Sequence, residues 1–156
     1  MNLFANDAFN GRIAFVTGAT RGIGLAIAER LADAGAFVIG TATSETGAAS
    51  ISEKLGARGR GIVLDVTNAE AAVAAVNAVV SEFGRIDILV NNAGITRDQL
   101  AMRMTDEAWD AVIATNLTAA FRLSRTVLRP MMKARFGRII NITSVVGAMG
   151  NAGQAN

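Results

Sequence analysis

Ile13-Ala14-Phe15-Val16-Thr17-Gly18-Ala19-Thr20-Arg21-Gly22-Ile23-Gly24-Leu25-Ala26-Ile27-Ala28 is the stretch that decides the fold. A short apolar run leads into a turn with three glycines, and the turn leads into an apolar-periodic helix. This arrangement can bind a dinucleotide pyrophosphate. The glycines let the main chain approach the phosphates, and the unpaired N–H groups of the helix N-terminus attract the anion. The same turn without a ligand is only a tight connection, so the rest of the chain has to decide between the two.

Working outward, the pattern repeats. Strand-like runs cover 12–16, 36–41, 61–65, 86–91 and 138–143, and helical patterns cover 22–34, 46–55, 69–83 and 105–133. Strands separated by helices predict βαβ units and a parallel sheet. The runs at 86–91 and 138–143 are continuous rather than alternating, as expected of strands covered on both faces. The fold class is therefore α/β: a doubly wound parallel sheet of the Rossmann type, with strand order 3-2-1-4-5. Gly35, Gly56, Gly59, Gly84 and Gly137 stand near predicted helix ends, where a left-handed residue is common. Residues 1–11 read as a loosely held lead-in. With no repeat or linker, 1–156 is the N-terminal part of one dinucleotide-binding domain. A complete doubly wound domain has a sixth strand, so the sheet is expected to be incomplete, with strand five an exposed apolar edge.

Composition excludes several functions. Apolar residues make up 51% of the 156 positions and charged residues 18%, which is the balance of a globular chain. No apolar run is long enough for a membrane span, and the first ten residues lack the pattern of a secretory signal. The chain has no Cys and no His, which argues against disulfides, thiolate chemistry and a metal site. This suits a reducing, cytoplasmic location. The isoelectric point is basic, yet the net charge is only +2 and the arginines are scattered, so no nucleic-acid patch is expected.

Several positions carry chemistry. The turn itself, Gly18, Ala19, Thr20, Arg21, Gly22, Ile23 and Gly24, is the predicted phosphate cradle. Sheets that bind NAD place an acid at the end of strand two for the ribose hydroxyl. Here the sequence is Gly40-Thr41-Ala42-Thr43-Ser44, with no carboxylate to repel a 2′-phosphate. Arg21 can pair with that phosphate and Thr43 can donate to it, so NADPH is the expected cofactor. Asp65, closing strand three beside Val66, can bond adenine or cap the next helix. Asn92, Ala93 and Gly94 follow strand four at the switch point, where small residues admit a ribose. Asn116 interrupts a helical pattern, where it can kink the helix or bond a neighbouring one. Ser144, at the carboxyl end of strand five, faces the same crevice. It can donate to a carbonyl oxygen that gains charge, but with no His to activate it, it is a poor nucleophile. Met102, Met104, Met131 and Met132 read as core or groove filler.

Thr17 with Gly-x-x-x-Gly-x-Gly, and then Asn91-Asn92-Ala93-Gly94, resemble the short-chain dehydrogenase/reductase family over almost the whole of 12–156. Narrower stretches resemble its ketoreductases that act on acyl-carrier-protein thioesters. They are 38–45, 91–98, 102–104, and 144–151 followed by Gly153-Gln154-Ala155-Asn156. The resemblance implies NADPH-dependent reduction of 3-oxoacyl-carrier-protein to the 3-hydroxyacyl product, in fatty acid synthesis, by a homotetramer. It implies Asp65 and Val66 in an adenine pocket, Asn116 holding a water of a proton relay, Ser144 on the substrate carbonyl, and Arg135 docking the acidic carrier. The family's proton donor is a Tyr directly after such a Gly-Gln-Ala-Asn, with a Lys four positions on. This chain contains no Tyr. The 156 residues alone are therefore expected to be inactive and to be part of a longer enzyme. A ketoreductase acting on acetoacetyl-CoA or another short-chain substrate shares the same motifs. A non-catalytic NADPH-binding or interaction fragment is the reading outside enzymes.

Overall fold

The computed structural model describes residues 7–156. Five parallel strands form one sheet in the order β3-β2-β1-β4-β5. They are β1 (Ile13–Val16), β2 (Phe37–Ala42), β3 (Gly59–Val63), β4 (Ile88–Asn91) and β5 (Arg138–Asn141). The helices are α1 (Gly22–Asp33), α2 (Glu45–Leu55), α3 (Ala69–Phe83), α4 (Asp106–Val112), α5 (Ala119–Lys133) and the short α6 (Val146–Met149). The doubly wound expectation holds in strand order and direction.

Alternation along each strand feeds two cores. Phe15, Ile39 and Leu89 pack with Val76 and Val79 of α3 and Leu123, Val127 and Met131 of α5. Ala14, Val16, Val38 and Val90 pack on the other face with Ala28 and Ala32 of α1 and Ile51 and Leu55 of α2. Each fully buried Phe, Leu or Ile contributes roughly 1.5–3 kcal/mol. Beneath the sheet, the wholly buried Asp87 carboxylate accepts the Ile13 N–H at 2.9 Å and pairs with Arg12 at 3.2 Å and with Arg85. It joins the starts of β1 and β4, and its carbonyl takes the Arg138 N–H of β5 at 2.8 Å.

The sheet's two edges differ. At β3, the Ser52 hydroxyl of α2 accepts the Gly61 N–H at 2.9 Å and donates to the Ala48 carbonyl at 3.1 Å, which closes that edge. At β5, Ile140 and Ile142 are 45% and 37% exposed, and no described strand covers them. Strand five is thus the exposed apolar edge expected of it, and its side chains are also less covered than its continuous apolar run suggested. A continuous apolar run marks burial only where neighbours stand on both sides.

Other expectations need correcting. Asp65 lies beyond β3, which begins earlier and ends at Val63. The helix expected over 105–133 is split by a π-helical stretch, Ile113–Thr118. Gly59 and Gly137 are not left-handed caps. They are small for lack of room, since a Cβ would strike the Val38 carbonyl at Gly59 and the Met131 side chain at Gly137. After α5 the left-handed place falls to Arg135, with φ 51°. Phe9 and Asn10 are held rather than loose: the Phe9 N–H donates to the Ala34 carbonyl at 2.8 Å. The rest of the expected lead-in, residues 1–6, lies outside the described residues. Met131 is core, but Met102 and Met132 are 86% and 74% exposed.

Candidate functional site

The glycine turn is pinned from both sides by hydroxyls at strand ends. Buried Thr17 donates through Oγ1 to the Val90 carbonyl at 3.3 Å and accepts the N–H groups of Asn92 and Ala93, each at 2.9 Å. The Asn92 amide returns two bonds, to the carbonyls of Thr17 at 2.9 Å and Gly18 at 3.1 Å. On the β2 side, Thr41 Oγ1 accepts the Gly18 N–H at 3.2 Å and its carbonyl accepts the Ala19 N–H at 2.9 Å. Gly18 adopts φ 65°, and a Cβ at Gly24 would land on the Gly18 carbonyl and the Asn92 amide. Only glycine permits this approach of helix to strand.

Arg21 is the N-cap residue of α1 and makes no side-chain cap. Gly22, Ile23 and Gly24 open the helix, where N–H groups have no carbonyl one turn back. Ala19 and Gly24 are buried packing positions, while Arg21, Gly22 and Ile23 are exposed. A cavity of about 500 Å³ runs past Gly18, Thr20, Arg21 and Thr43 to Asp65 and Val66, and ends at Asn92, Ala93 and Gly94. Asp65 Oδ1 accepts the N–H and hydroxyl of Thr67, at 2.9 and 2.7 Å, and caps no helix. That part falls to Asn68, whose side chain accepts the Ala71 N–H at 3.0 Å. The donor set fits a dinucleotide: free helix-end N–H groups and a cation at one end, a carboxylate at the other, and no acid beside Thr43.

A second cavity, about 850 Å³, shares the wall Asn92–Ile95 and is lined by Asn116 and Ser144. The Ser144 Oγ accepts the Val146 N–H at 3.2 Å, which leaves its own hydrogen to donate. The Asn116 amide spends both ends on Ile95, accepting its N–H and donating to its carbonyl, each at 2.9 Å. The π-helical turn that carries Asn116 brings it to the loop after β4; such turns are frequent at functional sites. At the rim, Gln154 Nε2 donates to the Asp98 carboxylate at 3.1 and 3.2 Å, and the Gln99 N–H donates to the Gly153 carbonyl at 2.8 Å. These bonds join the loops after β4 and β5.

The structure thus brings the turn, Thr43, Asp65, Val66, Asn92–Gly94, Asn116 and Ser144 to one end of the sheet. Arg135 stands apart, before the first residue of β5, whereas Ser144 follows its last. Sequence reasoning missed Thr41 as a support of the turn. It also missed Asn91, whose amide donates to Asn141 Oδ1 at 2.8 Å and Ser124 Oγ at 3.1 Å, while its own Oδ1 is buried and unpartnered. For Asn91, an amide ending an otherwise apolar strand was the available signal.

The fold is a parallel α/β sheet of the Rossmann type with two adjoining cavities at one end. The chain belongs to the short chain dehydrogenase family, whose model matches residues 12–156. It is similar to proteins named 3-oxoacyl-[acyl-carrier-protein] reductase FabG. The one from Escherichia coli K12 is 62% identical over 148 residues, which are 95% of this chain and 61% of that protein. The one from Vibrio cholerae El Tor is 64% identical over 146 residues, 94% and 60% of the two chains. The one from Pseudomonas aeruginosa is 56% identical over 152 residues, 96% and 62%. The chain therefore spans about three fifths of the length of these curated relatives. Among the described residues, no helix is long and apolar enough to cross a membrane, and no group of three His, Cys, Asp or Glu is placed to hold a metal.

Proposed function

We propose that this chain is the cofactor-binding part of an NADPH-dependent reductase that converts 3-oxoacyl-carrier-protein thioesters to 3-hydroxyacyl products. The observation that carries the reading is the shared wall: Ser144 and Asn116 line a cleft whose boundary, Asn92–Ile95, is also the end of the dinucleotide crevice. NADPH, when bound, would supply a hydride to the keto carbon. Arg21 and Thr43 would hold its 2′-phosphate, Asp65 and Val66 its adenine, and Asn92, Ala93 and Gly94 a ribose. Ser144 donates its hydroxyl hydrogen to the carbonyl oxygen as charge develops there. Asn116 fixes the loop at Ile95 with one amide hydrogen and one Oδ1 lone pair, and its second amide hydrogen would hold the water of a proton relay. Arg135 offers a cation to the acidic carrier. The chain has no Tyr; the acid that protonates the alkoxide is expected in sequence after Asn156. The working enzyme is a cytoplasmic homotetramer.

The test is NADPH oxidation by the full-length gene product with acetoacetyl-carrier-protein and with acetoacetyl-CoA. The expected result is a kcat/KM at least about tenfold higher for the carrier thioester, and for NADPH over NADH. Equal use of CoA would move the reading to a general short-chain ketoreductase. Stoichiometric NADPH binding without turnover of either thioester would move it to a non-catalytic module.

A further inference from the structure

The reductase reading, on which this inference rests, needs two groups at one carbonyl oxygen. Ser144 follows closely on β5, but the acid is expected after Asn156, and residues 145–156 lie between them. Apart from the short α6, that stretch belongs to no strand or helix. Contacts with another part of the chain must therefore set where the backbone leaves Asn156.

The loop after β4 supplies them. Gln154 Nε2 donates to both oxygens of Asp98, at 3.1 and 3.2 Å. The Gln99 N–H donates to the Gly153 carbonyl at 2.8 Å, and Asn156 Nδ2 donates to the Arg97 carbonyl at 3.0 Å. Among the described residues, every hydrogen bond from 151–156 to the rest of the chain ends on Arg97, Asp98 or Gln99.

Asp98 is an uncommon partner for an amide. Arg97 stands next to it in sequence, yet the Arg97 guanidinium turns to the Thr96 carbonyl, and both Asp98 oxygens are spent on Gln154. A carboxylate accepts such a bond more strongly than a neutral group does. Each half of the pair is itself held. Gln154 Oε1 accepts the Asn151 Nδ2 at 3.1 Å, and Gly153 before it takes the left-handed φ of 82°. On the other side, Asn116 ties the loop at Ile95, and Gln99 Oε1 accepts the Thr105 N–H at 3.1 Å where α4 begins.

The wall shared with the cofactor crevice does not depend on this pair. Asn92 and Ala93 are held by the Thr17 hydroxyl, and Ile95 by Asn116. Neither Asp98 nor Gln154 lines the cleft. We propose that Asp98 and Gln154 are positioning residues for the carbonyl chemistry. Their bond fixes the exit of the chain at Asn156 relative to Ser144, and so brings the acid to the oxygen that Ser144 holds.

An exchange of amide and carboxylate tests the proposal on the full-length gene product. Asp and Asn have the same length, as do Gln and Glu, so the pair can be reversed with little change of shape. Gln154→Glu sets two carboxylates against each other, and kcat with acetoacetyl-carrier-protein is expected to fall about tenfold to a hundredfold. Asp98→Asn keeps a neutral bond and should cost about threefold. The double variant, Asp98→Asn with Gln154→Glu, restores a charged bond of opposite polarity, and kcat should return to within about threefold of the parent. The Kd of NADPH, by calorimetry, should stay within about twofold in all three, which also reports that they fold. A double variant no better than Gln154→Glu overturns the pairing. A Kd that rises in step with the loss of kcat overturns the positioning role and makes the pair a support of the cofactor wall. A parent protein without turnover overturns the reductase reading itself, a separate outcome from either of these.

Discussion

Thr17 and Arg135 show how much rests on single side chains. The Thr17 hydroxyl is the one acceptor for two N–H groups of the loop after β4. Thr17→Val keeps the shape and removes that acceptor. It is expected to cost about 2 kcal/mol in urea unfolding and to weaken NADPH binding by calorimetry, while Thr17→Ser retains both. Arg135 sits in a left-handed conformation that costs a residue with a Cβ roughly 1–2 kcal/mol. The N–H groups of Arg135 and Phe136 close the helix end on the carbonyls of Met132 and Met131, each at 3.1 Å, the pattern that favours glycine. Arg135→Gly is expected to raise the melting temperature by about 2–4 °C. A lower melting temperature would show that the guanidinium is a structural support. Burial pushes the Asp87 carboxyl up, but the Arg85 guanidinium, the Ile13 N–H and Arg12 outweigh it and hold it below its usual value. A depressed carboxylate stabilises the fold above its unfolded value, about 3.9, and that contribution fades as pH falls through the folded value. Acid unfolding should therefore steepen below about pH 4. Asp87→Ala should remove that dependence and cost about 1–3 kcal/mol at neutral pH, because it leaves the Ile13 N–H without its acceptor and two partly exposed arginines without their partner.

At the scale of elements, the sequence was legible where a rule is local. Apolar period and glycine placement located every strand and the strand order, and α3 matched its expected span. Two of the failures trace to a partner distant in sequence. The π-helical turn at Ile113–Thr118 exists together with the hold of Asn116 on Ile95, 21 residues away. Gly59 was read as a cap, but its smallness answers to the Val38 carbonyl across the sheet. In the candidate site, the turn, Asn92–Gly94 and Ser144 could be read from motif and strand end. The support from Thr41 could not, because threonine is ordinary in strands and only its bond to Gly18 separates it from its neighbours. Gly61→Ala gives a sharp check on packing between elements. The added methyl meets the Ala48 main chain of α2, and a loss of about 3 kcal/mol is expected from overpacking. Ser52→Ala, which only bares the Gly61 N–H, should cost about 1 kcal/mol.

For the whole molecule, both cavities open at the same end of the sheet and share Asn92–Ile95. The 156 residues produced as a separate polypeptide are expected to bind NADPH and to reduce no thioester. They should also self-associate with rising concentration, read by light scattering, through the bare edge of β5 and the exposed Phe121, Leu128 and Met132 of α5. An Ile140→Lys variant should weaken the first of these contacts and leave the second.

The unequal edges also set a direction of growth. On the β3 flank Ser52 of α2 takes up the Gly61 N–H, whereas among the described residues β5 has no neighbouring strand beyond it. The two later strands lie on the other flank, β4 against β1 and β5 against β4. In order of synthesis β1, β2 and β3 precede β4 and β5, so the flank partly covered by α2 is complete in sequence before the open one.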